Sequence, residues 1–229
     1  TTINHQFDTA GNYPVKLIVK TNLNCVDSIT KDIPILPLIK VTRDIPYDQS
    51  FDNINNGDWI ARANTEGDSM RWELINPDGK KIKSDNNAWF IPKPAVGDEN
   101  SQVLSSCFDL SELERPMIKM KIWRSLENNR DGAVLQISRN GVSDWERVGN
   151  TNEGINWYNS SSIEKIPLLI AWTDSTNTWV DVRHNLNTLK DSSKVRFRIL
   201  YYGAASSVTK YDGFAFDDVW IGERQQMQV

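Results

Sequence analysis

The stretch Ile118-Lys119-Met120-Lys121-Ile122 alternates apolar and charged side chains at every step. A period of two sends successive side chains to opposite faces of a strand, so this segment buries one face and wets the other. The same alternation runs through Val15, Leu17 and Val19 against Lys16 and Lys20, and through Ala133, Leu135 and Ile137. It returns at Val195, Phe197, Ile199 and Tyr201, with Arg196 and Arg198 on the other face. No long segment has a helical period. Between the strands lie turn-rich stretches such as Asn55-Asn56-Gly57-Asp58, Pro77-Asp78-Gly79 and Arg139-Asn140-Gly141, which suit antiparallel sheets. The pattern predicts an all-β sandwich or barrel.

The chain has 229 residues, 39% hydrophobic and 10% aromatic, which is enough apolar material for a core and too much for a disordered chain. Its 26 basic and 30 acidic residues are intermixed and leave a net charge of −4, so no basic stripe follows a phosphate backbone and nucleic acid is not an expected partner. No apolar run is long enough for a membrane-spanning helix, so no membrane insertion is expected. The opening Thr1-Thr2-Ile3-Asn4 has no signal core and reads as a processed or excised piece. Cys25 and Cys107 are too few for a disulfide framework or a cysteine zinc site, and they are expected not to bridge each other.

The segment Ile33-Pro34-Ile35-Leu36-Pro37-Leu38-Ile39 carries two prolines, which cannot donate to a sheet ladder. A domain boundary is therefore placed near residue 40. Residues 1–40 are too few to build a good core alone, 41–224 form the main domain, and 225–229 begin a linker or further domain.

Residues His5-Gln6-Phe7, Ala10-Gly11-Asn12-Tyr13-Pro14-Val15-Lys16-Leu17 and Asn24-Cys25-Val26-Asp27-Ser28 resemble the second half of a PKD domain, an immunoglobulin-like sandwich of surface proteins, with Phe7 where that family usually has Tyr. From residue 48 to 224 an ordered set of landmarks resembles the MAM-like or cleaved-adhesin-like jelly rolls of Bacteroidetes surface proteins. They include Ser50-Phe51-Asp52, Ser105-Ser106-Cys107-Phe108-Asp109-Leu110-Ser111, Asn156-Trp157-Tyr158-Asn159, Ala171-Trp172-Thr173 and Asp212-Gly213-Phe214-Ala215-Phe216-Asp217-Asp218-Val219. The resemblance implies an antiparallel jelly-roll β-sandwich preceded by a partial PKD-like sandwich. It also implies export across the bacterial outer membrane by the type IX route to an extracellular or cell-surface location.

In the last strand Phe214 and Phe216 share one face, whereas Val219 and Ile221 fall in the opposite phase. A β-bulge at Asp217-Asp218 would bring both pairs to one core. Adjacent carboxylates beside buried aromatics need partners, and a hard cation such as Ca²⁺ takes several oxygen ligands. The jelly-roll resemblance implies a structural Ca²⁺ held by Asp52, Asp217 and Asp218; turn capping, or pairing with Arg124, Arg183, Arg196 or Arg198, is the alternative.

Of nine tryptophans, Trp123 and Trp220 lie in apolar strand patterns, while Trp157, Tyr158, Trp172 and Trp179 lie in the turn-rich stretch 154–181 and are the candidate ligand-binding residues. Exposed indoles stack on sugar rings, although core packing is the commoner use of such a ring. There is no nucleophile motif and no His-Glu-x-x-His, only His5 and His184 as imidazoles, and scattered acids without a singled-out pair, so no catalytic residues are expected. Thr9, Ser28, Ser69 and Ser175 stand in Asp-Ser/Thr-x triplets of the kind Bacteroidetes glycosylate on exported proteins. The leading expectation is a non-catalytic adhesion or ligand-binding module of a multidomain protein, facing a cell-surface glycan or protein ligand and the neighbouring domains of its own polypeptide. The alternative is a structural accessory domain of a secreted multidomain hydrolase.

Overall fold

The computed structural model describes residues 4–52, 58–64, 70–77, 82, 86–141, 143–160, 162–163, 170–176, 178–205 and 210–225. The strands in chain order are β1 (Gly11–Lys20), β2 (Val26–Ile35), β3 (Leu38–Lys40), β4 (Tyr47–Gln49), β5 (Ile60–Ala63), β6 (Glu73–Ile75) and β7 (Ala88–Pro92). They continue with β8 (Glu99–Asp109), β9 (Pro116–Ser125), β10 (Gly132–Ser138), β11 (Glu146–Arg147), β12 (Val180–Asn185), β13 (Val195–Gly203) and β14 (Gly213–Glu223). One short 3₁₀ turn, Asn187–Leu189, precedes β13. The chain divides into two compact units, Thr1–Leu38 and Ile39–Val229.

The first unit is a hairpin in which β1 and β2 pair antiparallel from Gly11↔Ile35 to Lys20↔Val26. Its turn closes with the Thr21 N–H donating to the Cys25 carbonyl at 2.9 Å, and Asn24 takes the left-handed conformation such a turn needs, at φ 66°. Leu17 and Ile18, on opposite faces, are 56% and 59% exposed, because a lone hairpin has no second layer to cover either face.

The second unit is an all-β sandwich. One sheet runs in the order β11-β10-β13-β8-β3 with β5 also on β8; the other runs β12-β9-β14-β7-β6 with β4 also on β14. Spatial neighbours are not sequence neighbours. The late strand β13 lies between β10 and β8, and the last strand β14 lies between β9 and β7, antiparallel to each. Each sheet is thus completed from the end of the chain, so the core consists of contacts distant in sequence.

That core is aromatic. Phe216 meets Phe51, Trp59 and Trp72 at ring-centroid distances of 5.9, 5.6 and 5.8 Å, and Trp72 reaches Tyr201 of the opposite sheet at 6.2 Å. Tyr47 of β4 packs edge-on against Phe108 of β8 at 4.9 Å. Edge-to-face pairs of this kind add to the gain from burying the rings' area.

The bulge expected in the last strand is present. Asp217 pairs with Lys121, and the next pair along is Trp220 with Lys119, so β14 advances three residues while β9 advances two. Asp218 absorbs the extra residue with φ 50°. Phe214, Phe216, Val219 and Ile221 are consequently all fully buried. The same shift corrects the reading of Trp220 as part of an apolar strand face: between Val219 and Ile221 it points outward and is only half-buried. Phe216→Ala, which removes a fully buried ring touching three others, is expected to cost about 3–5 kcal/mol in urea unfolding.

Candidate functional site

Three regions bear on function: the carboxylates at the bulge, the aromatic stretch 154–181, and an open groove on the outer face of the second sheet. At the bulge, Asp217 is 8% exposed and receives the Asp218 N–H on Oδ1 at 2.7 Å. Burial raises its carboxyl from the ordinary 3.8 to about 7, helped by the charges of Asp218 and Asp52 and opposed by the Asp218 N–H and Lys121. Asp52 and Asp217 are therefore electrostatic neighbours, as the strand-end placement requires. Asp218 Oδ2 accepts from Lys121 Nζ at 2.7 Å, and this contact raises the lysine. Asp52 Oδ2 accepts from Ser50 Oγ at 2.7 Å, and the Asp52 carbonyl accepts from Asn87 Nδ2 at 3.2 Å. None of the three pairs with the arginines considered from sequence among the described residues; the cation found there is Lys121. Among the described residues no group of three or more His, Cys, Asp or Glu forms a ready metal cage.

The structure corrects the aromatic candidates. Trp157, Tyr158 and Trp172 are 4%, 2% and 0% exposed and offer no face to a sugar. They pack edge-on or tilted on one another at 4.7–5.3 Å between ring centroids and cover the edge of β10 beyond its short pairing with β11. The Tyr158 hydroxyl accepts the Leu135 N–H at 3.2 Å and donates to the Leu135 carbonyl at 3.0 Å, while Trp172 exchanges backbone bonds with Ala133. An unpaired edge is a site of unwanted strand addition, and this aromatic plug covers it. It is also why β10 is buried along its whole length instead of alternating. Trp179 is half-buried against a small satellite core of Ile82, Phe90, Trp123 and Ala215.

Thr9 is exposed, with Oγ1 2.8 Å from the Tyr13 hydroxyl, and Ser28 is exposed. Ser175 is half-buried and donates to the Leu126 carbonyl at 3.3 Å, whereas Ser69 lies outside the described residues. Both cysteines are free.

The groove, of about 1430 Å³, was not anticipated from sequence. It runs over Met117, Lys119, Arg183 and Trp220 and is edged by Arg43, Arg115 and Arg224. Five cationic side chains line it against two acidic ones, Asp44 and Glu223. Glu223 is held by the Glu114 and Arg115 N–H groups at 2.9 and 3.1 Å and by Arg115 Nε at 3.2 Å. Burial alone would raise this carboxyl, but those bonds outweigh it and keep it below its ordinary range. His184, also in the lining, is engaged by the Asn185 carbonyl and Glu153 and packs on Trp157 at 4.9 Å. The one legible signal was the outward Lys119-x-Lys121 alternation; the rest of the lining comes from strands and loops far apart in sequence.

No protein-family model matches the chain, and no curated protein matches it in sequence. Among solved structures it is similar to the K1 cleaved adhesin domain of Lys-gingipain from Porphyromonas gingivalis W83, with 13% identity over 79% of this chain and 99% of that one, at a TM-score of 0.46. The K2 domain of Lys-gingipain is 13% identical over 78% and 98%, with a TM-score of 0.48. The family 11 carbohydrate-binding module from Clostridium thermocellum, solved with a β-1,3-1,4-mixed-linked tetrasaccharide, is 9% identical over 78% and 97%, with a TM-score of 0.44. Likenesses this distant carry no argument about what the chain binds.

The Asp217 carboxyl gives a pH prediction. Its folded value lies above its unfolded one, so the folded chain holds the extra proton, and the associated stability is complete below about pH 4 and is lost as pH rises toward 7. In chelator the melting temperature of the second unit should fall across that window, and Asp217→Asn should flatten the fall; an equally steep slope in the variant would assign it to other groups.

Proposed function

We propose that the second unit is a non-catalytic ligand-binding module of an extracellular multidomain protein, and that the groove is where it binds. The observation that carries this reading is the groove's chemistry. It is open and ligand-sized, its floor is a face of paired strands, and its ionisable groups are poor catalysts. Glu223, kept ionised by three N–H donors, cannot act as a general acid near neutrality, and His184 faces no hydroxyl or thiol nucleophile among its hydrogen-bond partners. A cell-surface glycan or protein ligand is the intended occupant. The exposed apolar faces of the first unit are the part of the chain suited to packing against neighbouring domains of the same polypeptide. The full chain, immobilised and screened against cell-surface glycans and proteins, should retain a ligand without releasing product; turnover abolished by changing a single groove carboxylate would overturn the reading.

We further propose a structural Ca²⁺ at the bulge, held by Asp52, Asp217 and Asp218. The support is chemical: the donors are all hard carboxylate oxygens, and the buried Asp217 is crowded by two like charges that a divalent cation would neutralise. Bound there, the ion would tie β14 to the segment leaving β4. Ion at ~100 times its Kd stabilises by about 2.7 kcal/mol. The melting temperature should therefore drop in chelator and recover with Ca²⁺ much more than with Mg²⁺, and Asp218→Ala should remove the response; an unchanged melt in chelator would leave the Lys121 ion pair and the local hydrogen bonds to account for these carboxylates.

A further inference from the structure

The outer face of β12, β9 and β14 holds a charge arrangement that folding alone does not favour. Arg183 on β12 is directly opposite Lys119 on β9, and Lys119 is directly opposite Trp220 on β14. Like charges facing each other across a ladder are destabilising. Neither cation forms an ion pair among the described residues. Three of the acids nearby face elsewhere: Glu223 is bonded to Arg115, Glu114 to Arg43, and Asp181 lies opposite Lys121 rather than Lys119, which leaves Asp44 at the groove's edge. A groove with five cations and two acids thus sits on a chain whose net charge is −4.

Beside this pair lies a flat platform. Gly222, two residues beyond Trp220 on the same face, has no Cβ, and one placed there would come within 2.7 and 2.8 Å of the indole Cζ2 and Cη2. The glycine lets the ring lie down along the strand, and Lys119 Nζ stands over the ring, 4.2 Å from its centroid. Among the described residues, most backbone groups here are already paired and leave little edge for an added strand. β9 and β14 are paired on both sides, and the outer edge of β12 is bridged at Arg183 by Ile155. Recognition here falls to side-chain cations and a flat indole, which suits a sugar ring bearing an anionic group better than an extended acidic peptide.

We propose that the row Arg183-Lys119-Trp220 binds an acidic glycan, a sugar chain carrying carboxylate or sulfate groups. This rests on the reading of the second unit as a binding module and names the ligand class of its groove. The anion sits between Arg183 and Lys119, offsets their repulsion and draws the Lys119 ammonium from over the indole, so that the sugar ring packs on Trp220.

The test measures binding of the full chain to polygalacturonate, dextran sulfate, neutral dextran and poly-L-glutamate by affinity electrophoresis, with wild type, the Lys119→Ser/Arg183→Ser double variant and the charge-keeping Lys119→Arg/Arg183→Lys variant. Wild type should bind at least one acidic polysaccharide, about tenfold more tightly than poly-L-glutamate and without measurable binding to neutral dextran. Affinity should fall at least tenfold in the serine variant and stay within about threefold in the charge-keeping one. Without ligand, the serine variant should melt close to wild type, since it removes a like-charge pair together with the contact of Lys119 on the indole. Failure to bind either acidic polysaccharide, equal affinity for poly-L-glutamate, or binding indifferent to the serine variant would each overturn the proposal. A glycan or protein ligand bound equally by wild type and the serine variant would do so while leaving the binding-module reading in place, whereas absence of any ligand for either would remove both.

Discussion

One extra residue in β14 sets the arrangement of everything around it. Without the bulge at Asp217-Asp218, either Phe214 and Phe216 or Val219 and Ile221 would face water, because side chains in a regular strand alternate strictly. With it, four fully buried side chains from one strand feed a single core. β14 lies between β9 and β7, so a loss of its register would break two ladders and expose the aromatic cluster around Phe216.

The bulge also has two consequences at the surface. It turns Trp220 outward beside Lys119 and so lays down the floor of the groove. It also leaves the Asp217 carboxyl partly desolvated against two other aspartates, a cost the protein carries at the same strand that holds the core together. The groove face and the crowded cluster of charges therefore share one cause. Bulges commonly re-aim side chains near binding sites, and here the re-aimed side chain is an indole.

The aromatic residues divide by the same logic of what must be covered. Trp157, Tyr158 and Trp172 stood as ligand candidates because they lie in a stretch rich in turns, with core packing the commoner use of such rings; beyond its short pairing with β11, the edge of β10 has backbone groups that need partners. The Tyr158 hydroxyl and the Trp172 backbone supply them, which draws the rings inside. Trp220, set in an apolar strand pattern, lines the groove. Local composition does not decide the side of any of these rings, since exposure depends on which edge or face a distant segment covers.

Alternation at Ile118 to Ile122 and at Val195 to Tyr201 was sufficient to establish half-buried strands, and the clash of phase around Asp217-Asp218 was sufficient to locate a bulge, because both follow from the two-residue period of a single chain segment. The all-β class follows from the same rule. The order of strands in each sheet, the edge-closing role of Trp157, Tyr158 and Trp172, and the meeting of Arg183, Lys119 and Trp220 in one row were decided only by tertiary structure. Those three residues are separated by more than 30 positions at each step in sequence and become neighbours solely through the ladders β12-β9 and β9-β14. Pairing across ladders is a long-range choice made by the whole core, so no local pattern in the sequence records it.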